Sequence, residues 1–178
     1  MKRIFSMLCA VAICLGMAGC GGNKQVGDDP TAVYLDGEKV ISLGMTRDEV
    51  EEILELDHTA NKILEWKNDK NGSMAYENNI IIKYNDNIVS MIMLTLLEEE
   101  SKEYTDCLGN SLGMNYNKVK KKIGKKFAKE DNREEQFGIY FDAEGKMITA
   151  DEYLKAASSI SYMKNVLNKV DCIFYFDL

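Results

Sequence analysis

The tetrapeptide SLGM stands at Ser42–Met45 and again, 69 positions on, at Ser111–Met114. Each copy runs into a helix-like stretch, TRDEVEEILEL at 46–56 and NYNKVKKKIGKKF at 115–127. At the same offset, Met45, Val50 and Leu54 correspond to Met114, Val119 and Ile123. Residues four apart on a helix share a face, so Val50/Leu54 and Val119/Ile123/Phe127 each predict one apolar stripe. Thr46 with Glu49 predicts a capping box, in which the hydroxyl accepts from the Glu49 amide while the carboxylate reaches back. Asn115 holds the equivalent cap position in the second copy. Gly44 and Gly113 supply the turn before each cap.

Strand-like sequence follows each helix. In the first copy KILEWKN (62–68) runs to the turn signal DKNG, and NIIIKY (79–84) and IVSMIMLTL (88–96) flank NDN, which reads as a hairpin. In the second copy QFGIYF (136–141) runs to DAEG, and SISYMK (159–164) and KVDCIFYFDL (169–178) flank NVLN. The last strands align without gaps at an offset of 81, so the second copy is longer by 12 residues in its middle. TADEYLKAA (149–157) fills that length, and Thr149 with Glu152 predicts a capped short helix. The expected fold is α+β: two tandem repeats, each a helix packed on a three- to four-stranded antiparallel sheet. A copy of this size is marginal alone, so the two are expected to share a core or an interface. The expected boundaries are 1–19 for a leader, 20–33 for a tether, 34–100 for the first repeat and 101–178 for the second.

ISLGMTRDEVEEIL (41–54) resembles a motif of the SmpA/OmlA and beta-lactamase-inhibitor-protein superfamily, in which Gly-Met-Thr-x-x-x-Val opens the helix and an antiparallel sheet follows. Gly44, Met45, Thr46 and Val50 match it; Gly113, Met114 and Val119 match it in the second copy, where Asn115 replaces the Thr. Trp66 falls where such sequences carry an aromatic on the first long strand. The resemblance implies a non-enzymatic protein-binding scaffold over residues 35–178.

The chain opens MKRIFSMLCAVAICLGMAGC. Lys2 and Arg3 precede 16 uncharged residues, Ile4 to Gly19. That is short of the roughly 20 a membrane-spanning helix needs, and the pattern reads as a secretory signal. Met17-Ala18-Gly19-Cys20 resembles a bacterial lipobox, which implies cleavage after Gly19 and a diacylglyceryl group on Cys20. Two acyl chains at about 0.8 kcal/mol per buried methylene make a stable anchor. An ordinary cleaved signal without lipid is the alternative. The segment after Cys20 is polar and Gly-rich, and reads as a flexible tether.

Without residues 1–19 the chain has 20 positive and 29 negative charges, a net of −9. That balance gives no electrostatic reason to bind nucleic acid. The charges are segregated. The first helix carries Asp48, Glu49, Glu51, Glu52, Glu55 and Asp57 against Arg47; the second carries Lys118, Lys120, Lys121, Lys122, Lys125, Lys126 and Lys129. Such runs are solvated faces, or poles that orient a partner.

Candidate chemistry is sparse. The single histidine, His58, follows the first helix and reads as a cap or a packing group. No Ser-His-Asp or Cys-His pattern surrounds a glycine elbow, and too few His and Cys remain for a zinc site. DAEGK (142–146) lacks the further carboxylates of a calcium loop. No cofactor and no metal are expected. Cys107 and Cys172 form an even pair that reads as a disulfide or as two buried free thiols.

In the last strand Asp171, Ile173, Tyr175 and Asp177 share one face, and Val170, Cys172, Phe174 and Phe176 the other. The aspartates mark the first set as the wetter face. The aligned first-copy set is Ser90, Ile92, Leu94 and Leu96. Ile92, Leu94, Ile173 and Tyr175 are therefore expected either to form an exposed apolar patch that meets a partner or to be covered by a neighbouring segment or the other repeat. The expected function is a lipid-anchored envelope protein that binds another envelope or extracellular protein through this face. Inhibition of a beta-lactamase or peptidase is a second expectation, and an envelope enzyme with a carboxylate site a third.

Overall fold

The computed structural model describes residues 27–54, 62–68, 71–76, 80–95, 103–131 and 135–178, with the backbone alone described for 62–68 and 71–76. The expected leader, Cys20 and His58 lie outside the described residues, as does the side chain of Trp66.

The elements run β1 (Ala32–Leu35), β2 (Glu38–Ser42), α1 (Arg47–Ile53), β3 (Lys62–Asn68), β4 (Asn71–Tyr76), β5 (Ile80–Asn85), β6 (Ile88–Thr95) and β7 (Tyr104–Thr105). They continue through α2 (Tyr116–Ile123), β8 (Lys129–Glu130), β9 (Gln136–Phe141), β10 (Met147–Ile148), a 3-10 helix (Ala150–Lys155), β11 (Ser158–Lys164) and β12 (Val170–Asp177). The fold is α+β and mostly sheet.

Nine antiparallel strands form one sheet in the order β10-β9-β11-β12-β6-β5-β4-β3, with β8 also paired to β9. A second sheet of three strands has the order β2-β1-β7. Both helices pack on one face of the large sheet. Arg47 of α1 lies 5.7 Å from the Tyr84 ring centre, and Tyr116 of α2 meets Phe137 edge-on at 5.1 Å. Phe137 in turn stacks on Tyr162 at 4.8 Å. One continuous core joins this inner face to β1, β2 and both helices.

Local chemistry explains most of these elements. The capping box forms: Thr46 N–H donates to Glu49 Oε2 at 2.8 Å, and Glu49 N–H donates to Thr46 Oγ1 at 3.3 Å. Asn115 Oδ1 accepts from Lys118 N–H at 3.0 Å. α2 stops at Gly124 (φ +91°), so Phe127 packs from the following loop, not from the helix stripe. The short helix after Thr149 is a 3-10 turn. There the Thr149 hydroxyl donates to Glu152 Oε2 at 2.9 Å, but no side chain caps a backbone amide.

The two SLGM loops are fastened in the same way. Gly44 N–H donates to Val89 C=O at 2.9 Å, and Gly113 N–H to Val170 C=O at 2.8 Å. Val89 N–H returns to Met45 C=O at 2.8 Å, and Val170 N–H to Met114 C=O at 2.8 Å. Arg47 N–H reaches Asn87 C=O at 2.8 Å, and Tyr116 N–H reaches Asn168 C=O at 3.0 Å. Asn87 and Asn168 both hold a left-handed conformation, φ +63° and +56°, which asparagine tolerates better than most residues. Each loop is thus pinned to the turn that starts a long strand.

Two features depart from expectation. β4 begins at Asn71-Gly72, inside the expected DKNG turn. β1 starts at Ala32 after an Asp29–Thr31 turn, in which Asp29 Oδ1 accepts from the Thr31 amide at 2.9 Å and hydroxyl at 2.6 Å. The polar segment 20–33 therefore ends inside the fold.

Candidate partner-binding face

The register of the central strands decides which side chains meet the core. β6 and β12 pair as Leu94↔Ile173, Met93↔Phe174 and Ile92↔Tyr175. Inward of that ladder, the rows Ile160–Tyr175–Ile92–Ile82 and Tyr162–Ile173–Leu94–Ile80 cross four strands. Ile92, Leu94, Ile173 and Tyr175 are 0–1% exposed. The structure brings these four together, but in the core, and the expectation of an exposed patch there is corrected.

The reason is local. The β11–β12 ladder shifts register between Met163 and Lys164, so Val170 and Ile173 are both buried, although strict alternation would put them on opposite faces. Asp171 and Asp177 sit near the two ends of β12 and mark those ends, not a wet face.

The opposite, outer face carries Ser161–Phe174–Met93–Ile81 in one row and Ser159–Phe176–Met91–Lys83 in the next. Phe174, Phe176, Met91, Met93 and Ile81 are partly exposed. The Phe174 and Phe176 rings stack at 5.8 Å with 12° between planes. Met163 and Cys172 extend the patch toward Thr95. This aromatic and methionine surface spans the junction of the two halves of the sheet. It was legible only as the supposedly buried partner of the wrong face.

The cysteines also part company. Cys107 is buried in the loop after β7, while Cys172 lies on the outer face; both are free thiols. The disulfide reading gives way to two separate thiols. Burial pushes the Cys107 thiol far up, and burial also raises Cys172.

One buried carboxylate orders the core. Asp106 accepts from Leu108 N–H and Asn110 N–H at 2.8 Å each, from Asn110 Nδ2 at 2.9 Å, and from the Tyr162 hydroxyl. Burial raises its pKa despite those donors. This network ties the loop after β7 to β11. Lys122 Nζ of α2 donates to Leu108 C=O at 2.7 Å, which holds the same loop from outside. The Tyr175 hydroxyl is buried with no hydrogen-bond partner among the described residues.

An open cleft of about 730 Å³ lies between the β1–β2 hairpin and the β9–β10 turn, lined by Tyr34, Lys39, Glu144 and Lys146 among others. Nearby, burial pushes Asp29 up, but Thr31 and Lys39 outweigh it and hold the carboxyl below its usual value. Among the described residues no three His, Cys, Asp or Glu side chains are grouped to hold a metal ion. No described helix is long and apolar enough to cross a membrane. No family model matches the chain, and neither a curated protein nor a solved structure matches it.

Proposed function

We propose that the chain is a lipid-anchored envelope protein, acylated at Cys20, that binds a partner protein through the outer face of its nine-stranded sheet. It has no catalytic site of its own and needs no cofactor. The observation that carries this reading is the run of partly exposed Met91, Met93, Phe174 and Phe176 in adjacent register on the two central strands. Aromatic and methionine side chains are enriched in the cores of protein interfaces, and contiguous apolar surface on a sheet commonly meets a partner.

The scaffold is proposed to be one unit used twice. The three matched pairs of loop hydrogen bonds support this, at offsets of 69 for the loops and 81 for the strands. So does the central pairing. At an offset of 81, Met93 corresponds to Phe174, its own cross-strand partner, and Ile92 and Leu94 correspond to Ile173 and Tyr175. That is the self-complementary pairing of a two-fold interface, here within one chain. It places the Met93–Phe174 pair on the pseudo-dyad.

The test is co-isolation from membranes. One discrete protein is expected with the native chain and should be lost on Phe174→Lys or Met93→Lys, with thermal stability little changed. Retention by both variants, or turnover abolished by a single carboxylate change with binding intact, would sink the reading. The anchor is tested separately. Cys20→Ser should move the chain to the soluble fraction, and continued membrane retention would contradict it.

A further inference from the structure

The β11–β12 turn presents a feature that sheet-face binding leaves unused. Val166 and Leu167 at its tip are 101% and 75% exposed. The corresponding turn of the first half is Asp86-Asn87, which is polar and shorter. An apolar tip in water gains nothing for the fold. The turn is nonetheless rigidly built: Asn165 Oδ1 accepts from Leu167 N–H at 3.0 Å and from Lys169 N–H at 3.1 Å. It is also fixed against the N-terminus of α2 by the bond from Tyr116 N–H to Asn168 C=O at 3.0 Å.

α2 adds charge beside that tip. Lys118, Lys121 and Lys125 are all exposed. Lys118 and Lys121 stand on the helix face opposite the buried Tyr116, Val119 and Ile123, and Lys125 follows just past its end. From Cys107 to Lys129 the sequence contains seven lysines and no acidic residue. Lys169 is exposed at the base of the tip.

The first described residue, Gly27, lines the cleft by the β9–β10 turn, at the end of β9 away from the tip, and is linked to α2 through the loop after β7. Gly27 N–H donates to Cys107 C=O at 3.1 Å, and the next carbonyl, of Leu108, accepts from Lys122 of α2 at 2.7 Å. Six residues of helix from Lys122 back to Tyr116 span about 9 Å. Cys20 precedes Gly27 by seven residues, a reach of at most about 25 Å.

We propose that the Val166-Leu167 tip and the adjacent α2 lysines dock on an anionic phospholipid surface. The tip enters the headgroup boundary while Lys118, Lys121, Lys125 and Lys169 pair with phosphates. An apolar tip within a basic rim suits that boundary, because its polar side offers phosphates and its inner side hydrocarbon. Each lysine near such a surface strengthens binding several-fold. The face is locally basic although the molecule is net negative, because 107–129 carries no acidic residue and the bordering Glu130 and Glu103 are held by Lys120 and Ser111. Docking would fix the orientation of the sheet face above the bilayer, and it rests on the lipid-anchor reading only for bringing the chain to the membrane.

The test uses the full chain reconstituted with vesicles of phosphatidylcholine alone or with 30% phosphatidylglycerol, then acylated at lysine and read by mass spectrometry. Lys118, Lys121, Lys125 and Lys169 should be at least five-fold protected on anionic over neutral vesicles, with Lys155 unchanged as reference. Val166→Asp/Leu167→Asp should abolish the protection. Equal labelling on both vesicles overturns the proposal, and retention on both then leaves the anchor intact. Retention on anionic vesicles alone, with the protection, supports the docking while refuting the anchor. Equal labelling together with a crosslinked protein that the tip variant loses assigns the tip to a protein partner and overturns membrane docking.

Discussion

Tyr162 and Tyr175 both bury a hydroxyl under the same sheet, with opposite consequences. Tyr162 donates to Asp106, whereas Tyr175 has no partner among the described residues. Tyr162→Phe should cost about 1.5–3 kcal/mol, because it removes a hydrogen bond to a buried acid. Tyr175→Phe should be neutral, or stabilising by up to about 1 kcal/mol, because it removes an unpaired polar group. Denaturant unfolding of both variants checks the contrast, and equal losses would refute the geometry. Asp106 adds a pH signature. Burial raises its folded pKa above the unfolded value near 4, so the folded state keeps a proton that the unfolded state has released. Its contribution is therefore full below about pH 4 and lost as pH rises through the folded value. The stability of wild type relative to Asp106→Asn should fall over that window, and a flat difference would contradict the assignment. Little of this was visible in sequence. Asp106 and Cys107 are adjacent letters in a loop, and only the fold brings Tyr162, 56 positions away, onto the carboxylate. The thiols give a direct check. Iodoacetamide should label Cys172 in the native protein and Cys107 only after unfolding.

The elements divide by how local their cause is. α1 and α2 were legible because their stripes and caps lie within one or two turns of chain. Thr46→Ala should lower stability by about 1 kcal/mol, because it removes the hydroxyl that accepts from Glu49 N–H and donates to Glu49 Oε2 while the Thr46 N–H bond to Glu49 stays, as read by thermal unfolding. The Asp86-Asn87 hairpin was legible for the same reason: two residues with positive φ form the turn that matches strand twist. β4 was not, because Asn71-Gly72 spells a turn and only pairing to β3 and β5 makes it a strand. The facing of β12 was not, because one register shift between Met163 and Lys164 moves the buried set to the other parity. Charged letters at the ends of β12 misled for the same reason. They report where a strand stops, while the facing of its middle is set by the neighbours it pairs with.

At the scale of the molecule, the pairing of β6 with β12 makes two half-sheets into one and places the Met93–Phe174 pair at its centre. The same pairing hides Ile92, Leu94, Ile173 and Tyr175 and turns their neighbours outward. The SLGM repeat pointed to two similar halves, but the order of strands across the junction is a long-range choice that no local pattern contains. If the outer face is the binding surface, the Met93–Phe174 pair is its centre, and contact should be strongest there. The measurement that reaches this most directly is photo-crosslinking in living cells from a reactive residue at position 93, with position 155 on the 3-10 helix as reference. One discrete protein adduct is expected from position 93, lost when Phe174→Lys is added and not seen from position 155. No adduct from position 93, or the same adduct from position 155 and in the Phe174→Lys chain, would contradict a partner on this face.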